Sequence, residues 1–560
     1  MTSDKKNISL LTDIFVKKGL ADIVISPGSR NAPIILSFTN RSEINALSIV
    51  DERSAAFFAL GMAQQLGKTV AIACTSGSAA LNYAPAIAEA YYQKIPLLIL
   101  TADRPPELIE NGDGQTIRQK NVFTNYIKAS YELSPDIENE EDFAAAEKLI
   151  NRAIDETIWP EAGPVHINVP FREPLYNVIP QQIQGSILDF SEKIQNLSEK
   201  ELLFFAEKFN SVKKILIVAG QGTNNKDLNH LLSKIAQISQ VAVLTETTSN
   251  LVDAQFVDCI DNVVSTIKDS ESEAFQPELI ISFGGQMVSK MVKSFLRKHP
   301  ATEHWHVSPS GEKMDTYFCL TETIKQEAEQ FFYLIIPLLE NRDSNFSETW
   351  KNRKEMVSKK RDEYLKTIPY SDLQVFDYLL KNIPEGSNLH LGNSTPVRYS
   401  QLFGSSKRFN YFSNRGVSGI DGQVSTTAGA AFISSKINTI ITGDLGFFYD
   451  SNALMNHYLS PKLKIIVINN GGGGIFRFID GPASTPQLEK FFEVKHNWKA
   501  EKIAEAFDIE YFKVENFEEL ITVLKTFYSN LKKPALLEIF TPQKVNSEIL
   551  RNYFKMLKNG

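Results

Sequence analysis

Cysteine is scarce in this chain: Cys74, Cys259 and Cys319 are the only three in 560 residues. Their number is odd and their spacing matches no metal-ligand pattern. That argues against a disulfide framework and predicts a reducing, cytoplasmic setting. Long apolar runs are missing too. None approaches the ~18–20 residues of a membrane-spanning helix, and no apolar signal core follows Met1-Thr-Ser-Asp-Lys-Lys6. Positive charge is not in excess. The formal charge of −7 argues against a nucleic-acid partner and makes any cationic pocket a local feature. A Gly-Lys-Ser/Thr phosphate loop and the elbow sequence of a Ser-His-Asp hydrolase are also absent. Histidine is sparse, and His166, within Pro164-Val-His-Ile-Asn-Val-Pro170, reads as a strand residue rather than a catalytic base.

The composition is that of an ordinary globular protein, 43% hydrophobic and 22% charged. The chain is too long for one core, and its length suggests roughly three to four domains. Up to about residue 180, short apolar runs alternate with helical patterns. Ile23-Val-Ile25, Ala46–Val50, Val70–Cys74 and Pro96–Leu100 read as strands, with helices over Arg53–Leu66 and Ala79–Tyr92. That rhythm predicts a parallel α/β sheet. A linker is expected at Ile179–Gly185. A second α/β block follows, with strands at Lys214–Val218, Val241–Leu244, Leu279–Phe283 and His304–Val307. Its Gly220-Gln-Gly222 turn lacks the third glycine of a dinucleotide fingerprint and fits a structural spacer better. The charged helix Lys351–Lys366 leads to a third block, with strands at Leu389–Leu391, Tyr411-Phe412, Thr439–Ile441, Ile465–Ile468 and Leu536–Ile539. The expected architecture is α/β, three parallel-sheet domains at 1–180, 186–345 and 351–560, with the first and third sharing one layout.

Several strand-end loops carry chemistry. Gly443-Asp444-Leu445 and Asn469-Asn470-Gly471-Gly472 each follow an apolar strand, the Asn lying 26 residues beyond the Asp. With a crossover helix over Phe447–Tyr458, a carboxylate, an amide oxygen and a glycine carbonyl converge at the ligand-binding sheet edge. Such hard oxygens suit Mg2+ that keeps further sites for phosphate and water. A turn Asp beside a Gly-rich loop would look the same. Ser26-Pro-Gly-Ser29-Arg30 sets a hydroxyl and a guanidinium at a helix N-terminus, which makes an anion site or a simple capped turn. Asp51-Glu52-Arg53 puts a carboxylate where strand meets helix. Partial burial there raises its pKa and lets it share a proton with a ring nitrogen; an acidic first turn is the plainer reading. Thr75-Ser-Gly77 contacts a cofactor or caps a helix. Thr101-Ala-Asp-Arg104-Pro-Pro-Glu107 has its path fixed by two prolines, and Gln115 follows in the next loop. Gly392-Asn-Ser394 with Arg398, and Ser413-Asn-Arg415 with Ile420-Asp-Gly422, repeat the theme. Cationic strand ends in a net-acidic chain point to a ligand with more than one carboxylate.

Taken together, Glu52 after a strand and the later Asp–Asn–Gly motif resemble thiamine-diphosphate-dependent enzymes, built from pyrimidine-binding, central Rossmann-like and diphosphate-binding domains. Within that superfamily, Ser26-Pro-Gly-Ser-Arg30, Thr101–Leu108, Ser413–Gly416 and Ser418–Gly422 resemble the 2-succinyl-5-enolpyruvyl-6-hydroxy-3-cyclohexene-1-carboxylate synthase family of menaquinone biosynthesis. Leu445, where many relatives have Gly, agrees with that family.

The resemblance implies decarboxylation of 2-oxoglutarate on thiamine diphosphate and 1,4-addition of the resulting carbanion to isochorismate. It assigns Asp444, Asn470 and Gly472 to Mg2+ (or Mn2+), and Glu52 to the pyrimidine nitrogen. Ile420 wedges the cofactor, while Thr75, Ser394, Gly443 and Ile475 are the other cofactor contacts. Substrate carboxylates fall to Arg30, Arg104, Lys290, Arg398 and Arg415. Ser29 and Gln115 orient polar groups, and Ile475 and Phe476 shield the reaction from water. Glu52, Ser29, Arg30, Gln115 and Ser394 make up the catalytic set. Met291 stands where some members carry a second cation. The minimum active unit implied is a homodimer, or a homotetramer, with sites at the subunit interface. The rival readings are another thiamine-dependent 2-oxoacid decarboxylase, an acetohydroxyacid synthase-like enzyme, and a catalytically silent protein that retains the fold.

Overall fold

The computed structural model describes residues 1–180, 183–191, 196–478, 481–529 and 532–559; the expected linker at 179–185 falls partly on residues 181–182, outside the described ones. Three parallel sheets organise the chain. The first holds β1 (Asp22–Ile25), β2 (Asn45–Ser48), β3 (Val70–Cys74), β4 (Leu97–Asp103), β5 (Ala129–Glu132) and β6 (Val165–Pro170) in the order β2-β1-β3-β4-β6-β5. The second holds β7 (Ile215–Ala219), β8 (Val241–Thr245), β9 (Leu279–Phe283), β10 (Glu303–Ser308) and β11 (Glu322–Lys325), ordered β8-β7-β9-β10-β11. The third holds β12 (Asn388–Leu391), β13 (Asn410–Phe412), β14 (Asn438–Gly443), β15 (Leu463–Asn469), β16 (Glu510–Val514) and β17 (Ala535–Phe540). Its order, β13-β12-β14-β15-β17-β16, repeats that of the first sheet strand for strand.

The central strands are unbroken apolar runs because helices cover both faces: every residue of β3, β4 and β15 is buried. Edge strands lack that signal. β5 is half-buried along its whole length, and neither it nor β11 nor β16 stands out in the sequence. The helices used below are α1 (Ala32–Thr39), α2 (Glu52–Leu66), α3 (Ala84–Gln93), α4 (Lys290–Lys298), α5 (Asp372–Asn382), α6 (Thr395–Gln401), α7 (Gln423–Ile433), α8 (Asp444–Tyr449) and α9 (Gln543–Lys558). The expected helix Ala79–Tyr92 is two, Ser78–Asn82 and α3, with Pro85 starting the second. The expected crossover helix Phe447–Tyr458 is also shorter. α8 ends at Tyr449 because Asp450 turns inward to accept bonds from Ser425 N (2.8 Å) and Oγ (2.9 Å), and a 3-10 turn, Ser451–Leu454, follows.

The first and third sheets are joined by α2 crossing α7 with backbones in contact. A Cβ on Gly61 would lie 1.9 Å from Thr426 O, and one on Gly429 would lie 1.9 Å from Phe58 O. Phe57, Phe58 and Met62 share one apolar cluster with Val424, Ala428 and Ile440. The second sheet shares an apolar cluster with the third, in which Val218, Leu244 and Ile280 join Leu389, Val397 and Tyr411, and polar side chains add to the contact. Asn250 pairs with the backbone of Tyr411 at 2.7 and 2.9 Å, and Gln221 donates to Ser413 O at 2.8 Å. Gly220-Gln-Gly222 therefore serves as a docking turn, and Gly220 lets Gly285 O approach to where a Cβ would be. Among the described residues no helix is long and apolar enough to cross a membrane.

Two outcomes follow from this packing. Gly429→Ala overfills the crossing and costs about 1–3 kcal/mol, read as a thermal midpoint lowered by several degrees; an unchanged midpoint would show that the helices part freely. Burial pushes Asp450 from 3.8 up to about 7, so the folded chain holds a proton that the unfolded chain releases between those values. This group's contribution is greatest below about pH 4 and is lost as pH rises through about 7. The midpoint of the wild type relative to Asp450→Asn should therefore fall from pH 5 to pH 8, and parallel curves would rule this out.

Candidate active site

Parallel strands bring their C-terminal ends to one edge, and ligand loops diverge where the strand order reverses. In the first sheet that point lies between β1 and β3; in the third it lies between β12 and β14. The residues expected from the sequence gather at these edges in three groups.

The first group follows β1, β2, β3 and β4. Gly28 lies so close to Thr75 that a Cβ would sit 2.3 Å from the Thr75 Cβ, and Arg30 N donates to Thr75 Oγ1 at 3.3 Å. Ser29 is exposed just before α1, whereas Arg30 is buried. The Arg30 guanidinium donates to Phe171 O (3.2 Å) and pairs with Glu173 (3.1 Å). Burial, and then the neighbouring Arg104, lower its pKa. Arg104 is held by a bond from its Nε to Gly114 O at 3.1 Å. Gln115, at a left-handed φ of 61°, exchanges bonds with Ser76: its carbonyl accepts from Ser76 Oγ at 2.9 Å, and its amide donates to Ser76 O at 3.2 Å. Gln119, which the sequence reading passed over, is buried and accepts from Gly77 N at 2.8 Å. Glu52 opens α2 beside Asp51, which caps the helix by accepting from Ser54 N at 3.0 Å. Burial, then the Asp51 charge, raise the Glu52 pKa, as a carboxyl that shares a proton requires.

The second group follows β12 and β13. Ser394, at a φ of 75°, precedes α6, and its carbonyl accepts from Arg398 Nη1 at 2.5 Å. Arg415 is buried and donates to Asn393 Oδ1 at 2.8 Å, while its Nε is buried without a partner. Burial, then the proximity of Arg398, lower its pKa. Two buried acids balance this positive pair. Glu89 of α3 accepts from Gly416 N (2.6 Å) and Val417 N (2.8 Å). Glu246, directly after β8, accepts from Val288 N (2.7 Å) and Ser289 N (2.6 Å), just ahead of α4, whose first residue is Lys290. Lys290 and Met291 are exposed, and Lys293 of the same helix feels both Glu246 and Arg415. Neither acid was found from the sequence. The available signals were a lone carboxylate in the alanine-rich stretch Ala84–Ala90 and an acid at the tip of an apolar strand. Ile420 is 37% exposed at this edge.

The third group follows β14 and β15. Asp444 is buried as the first residue of α8. Its Oδ2 accepts from Gly471 N and Gly472 N, both at 2.9 Å, and lies 3.3 Å from His496 Nε2; its Oδ1 accepts from Leu445 N at 2.7 Å. Asn470 Nδ2 donates to Asp372 at 3.2 Å, while Asn470 Oδ1 is buried with no partner among the described residues. Among the described residues Gly472 O accepts from Gly474 N alone, whereas Gly471 O takes His496 N and Gln543 Nε2. A Cβ on Gly443 would meet nothing within 4 Å, so there is room beside the strand end. Ile475 and Phe476 form a half-buried 3-10 turn, the Phe476 ring 5.7 Å from that of Phe492. Among the described residues no three His, Cys, Asp or Glu converge. A cation here would depend on the Asp444, Asn470 and Gly472 oxygens, and the orphaned Asn470 Oδ1 fits that use. No hydrogen bond or ion pair joins Glu52 to Asp444, Asn470 or Gly472 among the described residues.

Comparison with known proteins gives three matches along the chain. Residues 8–126 match the thiamine pyrophosphate enzyme N-terminal TPP binding domain, 191–391 the middle domain of thiamine pyrophosphate, and 392–539 the C-terminal TPP binding domain. Thiamine pyrophosphate is another name for thiamine diphosphate. The chain is 46% identical to the 2-succinyl-5-enolpyruvyl-6-hydroxy-3-cyclohexene-1-carboxylate synthase of Christiangramia forsetii, over 97% of both chains. It is 43% identical to the synthase of the same name from Flavobacterium psychrophilum, over 98% of both, and 37% identical to that of Porphyromonas gingivalis, over 99% of this chain and 97% of the relative. The duplicated sheets, the loops at their edges and this end-to-end similarity make the chain a thiamine-diphosphate enzyme that belongs to the 2-succinyl-5-enolpyruvyl-6-hydroxy-3-cyclohexene-1-carboxylate synthase family.

Proposed function

We propose that the chain decarboxylates 2-oxoglutarate and joins the remaining four-carbon unit to isochorismate by 1,4-addition, on thiamine diphosphate held by Mg2+ or Mn2+. The observation that carries this reading is the pairing of like charges at the sheet edges, Arg30 with Arg104 and Arg398 with Arg415. Glu173 answers part of the charge of the first pair, and Glu89 and Glu246 part of that of the second; a carboxylate ligand would add to both. Both substrates are dicarboxylates, and a monocarboxylate such as pyruvate would engage only one pair.

Thiamine diphosphate, when bound, supplies a nucleophilic carbon and an electron sink for loss of CO2. This chain's residues bind, aim and protect it. Glu52, its proton affinity raised by burial, holds a proton at the pyrimidine ring nitrogen. Asp444, Asn470 and Gly472 would offer the metal-binding oxygens, with Thr75, Ser394, Gly443 and Ile475 lining the site and Ile420 packing against the cofactor. The unpartnered Nε of buried Arg415 is a free donor for a substrate carboxylate. Arg30, Arg104, Arg398 and Lys290 add charge, and Ser29 and Gln115 orient the polar ends. Ile475 and Phe476 keep water from the reacting carbon. Glu52 would meet the metal loop of a second copy, in a homodimer or homotetramer in the cytoplasm. The exposed Val417 and Ile420 support that arrangement. The functional units are 1–180, 186–345 and 351–560.

Purified protein with thiamine diphosphate and Mg2+ should release CO2 from 2-oxoglutarate and form an adduct when isochorismate is added. No CO2, or CO2 without an adduct, sinks the reading. Glu52→Gln should lower kcat by roughly 10²–10⁴-fold, and a fully active variant removes its proton role. Arg415→Ala should lower kcat/KM by about 10–100-fold, the worth of a charge-assisted hydrogen bond; an unchanged ratio would take Arg415 out of the substrate site.

A further inference from the structure

Asn470 presents two unlike ends of one amide to two unlike surroundings. Its Nδ2 donates to Asp372 Oδ2 at 3.2 Å, and its Oδ1 is buried with no partner among the described residues. Asp372 lies 98 residues earlier in the chain, at the first position of α5, and is 2% exposed. Its second oxygen accepts from Thr541 Oγ1 at 2.6 Å, and its backbone N–H donates to Asn546 Oδ1 at 2.8 Å. Asn546 Nδ2 donates to Thr541 Oγ1 at 3.3 Å, and Thr541 N donates to Asn469 O at 3.1 Å. A closed polar circuit therefore runs from α5 through α9 and the end of β17 back to the residue before Asn470.

A carboxylate in this circuit does what few other side chains can. The two ends of an asparagine amide are almost equal in size, so packing does not choose between them; only the hydrogen-bonding partners do. An ionised carboxylate only accepts. Facing one, the amide must turn its NH2 towards Asp372 and its oxygen away from it. A hydroxyl or an amide at position 372 could donate as well as accept and would tolerate either orientation. A buried carboxylate costs desolvation, and offsetting the α5 dipole would not require burial. We propose that Asp372 is a positioning residue that fixes the Asn470 amide so that Oδ1 faces the divalent cation. This rests on the reading of Asp444, Asn470 and Gly472 as the metal site.

The test is Mg2+ binding by the full-length protein in the presence of thiamine diphosphate, followed by calorimetry. Asp372→Asn should weaken Mg2+ binding roughly 10–100-fold, the usual effect of losing a support behind a metal ligand. Asp372→Ser, whose hydroxyl also serves either orientation, should do the same and keeps the test open if the asparagine variant does not fold. In an Asn470→Ala background, Asp372→Asn should cause no further loss, whereas a general structural effect would add to it. Asp444→Ala separates the two readings. If it leaves Mg2+ affinity unchanged, the metal assignment itself falls. If it abolishes binding while both Asp372 variants bind as the wild type does, or if the losses add, the positioning role is overturned.

Discussion

The backbone-to-backbone crossing of α2 and α7 is the constraint on which the rest hangs. Gly61 and Gly429 bring the helices closer than any Cβ would allow, so the first and third sheets are held as a pair. α2 begins at Glu52 and α7 follows the Ile420 loop, so the crossing fixes where both segments leave the core. Near the same junction Asn452 donates to Asp51 at 2.7 Å, and Arg53 donates to Tyr449 O at 2.8 Å. The residues flanking Glu52 are thus anchored, and its own carboxyl is left for other work.

Electrostatics impose a second order on the molecule. A chain with net negative charge nevertheless brings guanidinium groups together in pairs, which is unfavourable unless something answers them. Part of the answer is built in. Glu89 and Glu246 are buried acids that tie backbone amides and also face Arg415. They hold the cationic loops in shape without occupying the guanidinium donors. The remaining imbalance is carried by unpaired donors such as Arg415 Nε. Fixed positive charge with free hydrogen-bond capacity is what recognises a carboxylate strongly.

Much of this was legible in the sequence, and the reasons differ from place to place. Central strands such as β3 and β15 are apolar throughout because both faces are covered, so they stand out; the half-buried β5 carries no such mark. The loops at strand tips were found because Ser-Pro-Gly-Ser-Arg and Gly-Asp-Leu combine turn chemistry with charge at one point. Asp372, Glu89 and His496 were not found. Each works across a large sequence separation, and an isolated acid or histidine in a helix or loop gives no local sign of what it will face. The apolar spacing of the α8 segment continues past Asp450 and predicts a longer helix, and only the fold shows that Asp450 is turned inward to Ser425.

The strand order shared by the first and third sheets has a consequence for how such a molecule could arise. A sheet that occurs twice provides two equivalent edges, and loops on one can change without disturbing the scaffold of the other. In the function proposed above, one edge serves a proton and the other offers oxygen ligands. A ligand with a basic ring at one end and phosphates at the other suits such a divided pair. Duplication followed by divergence of loops alone would turn a symmetric frame into a receptor for an asymmetric molecule.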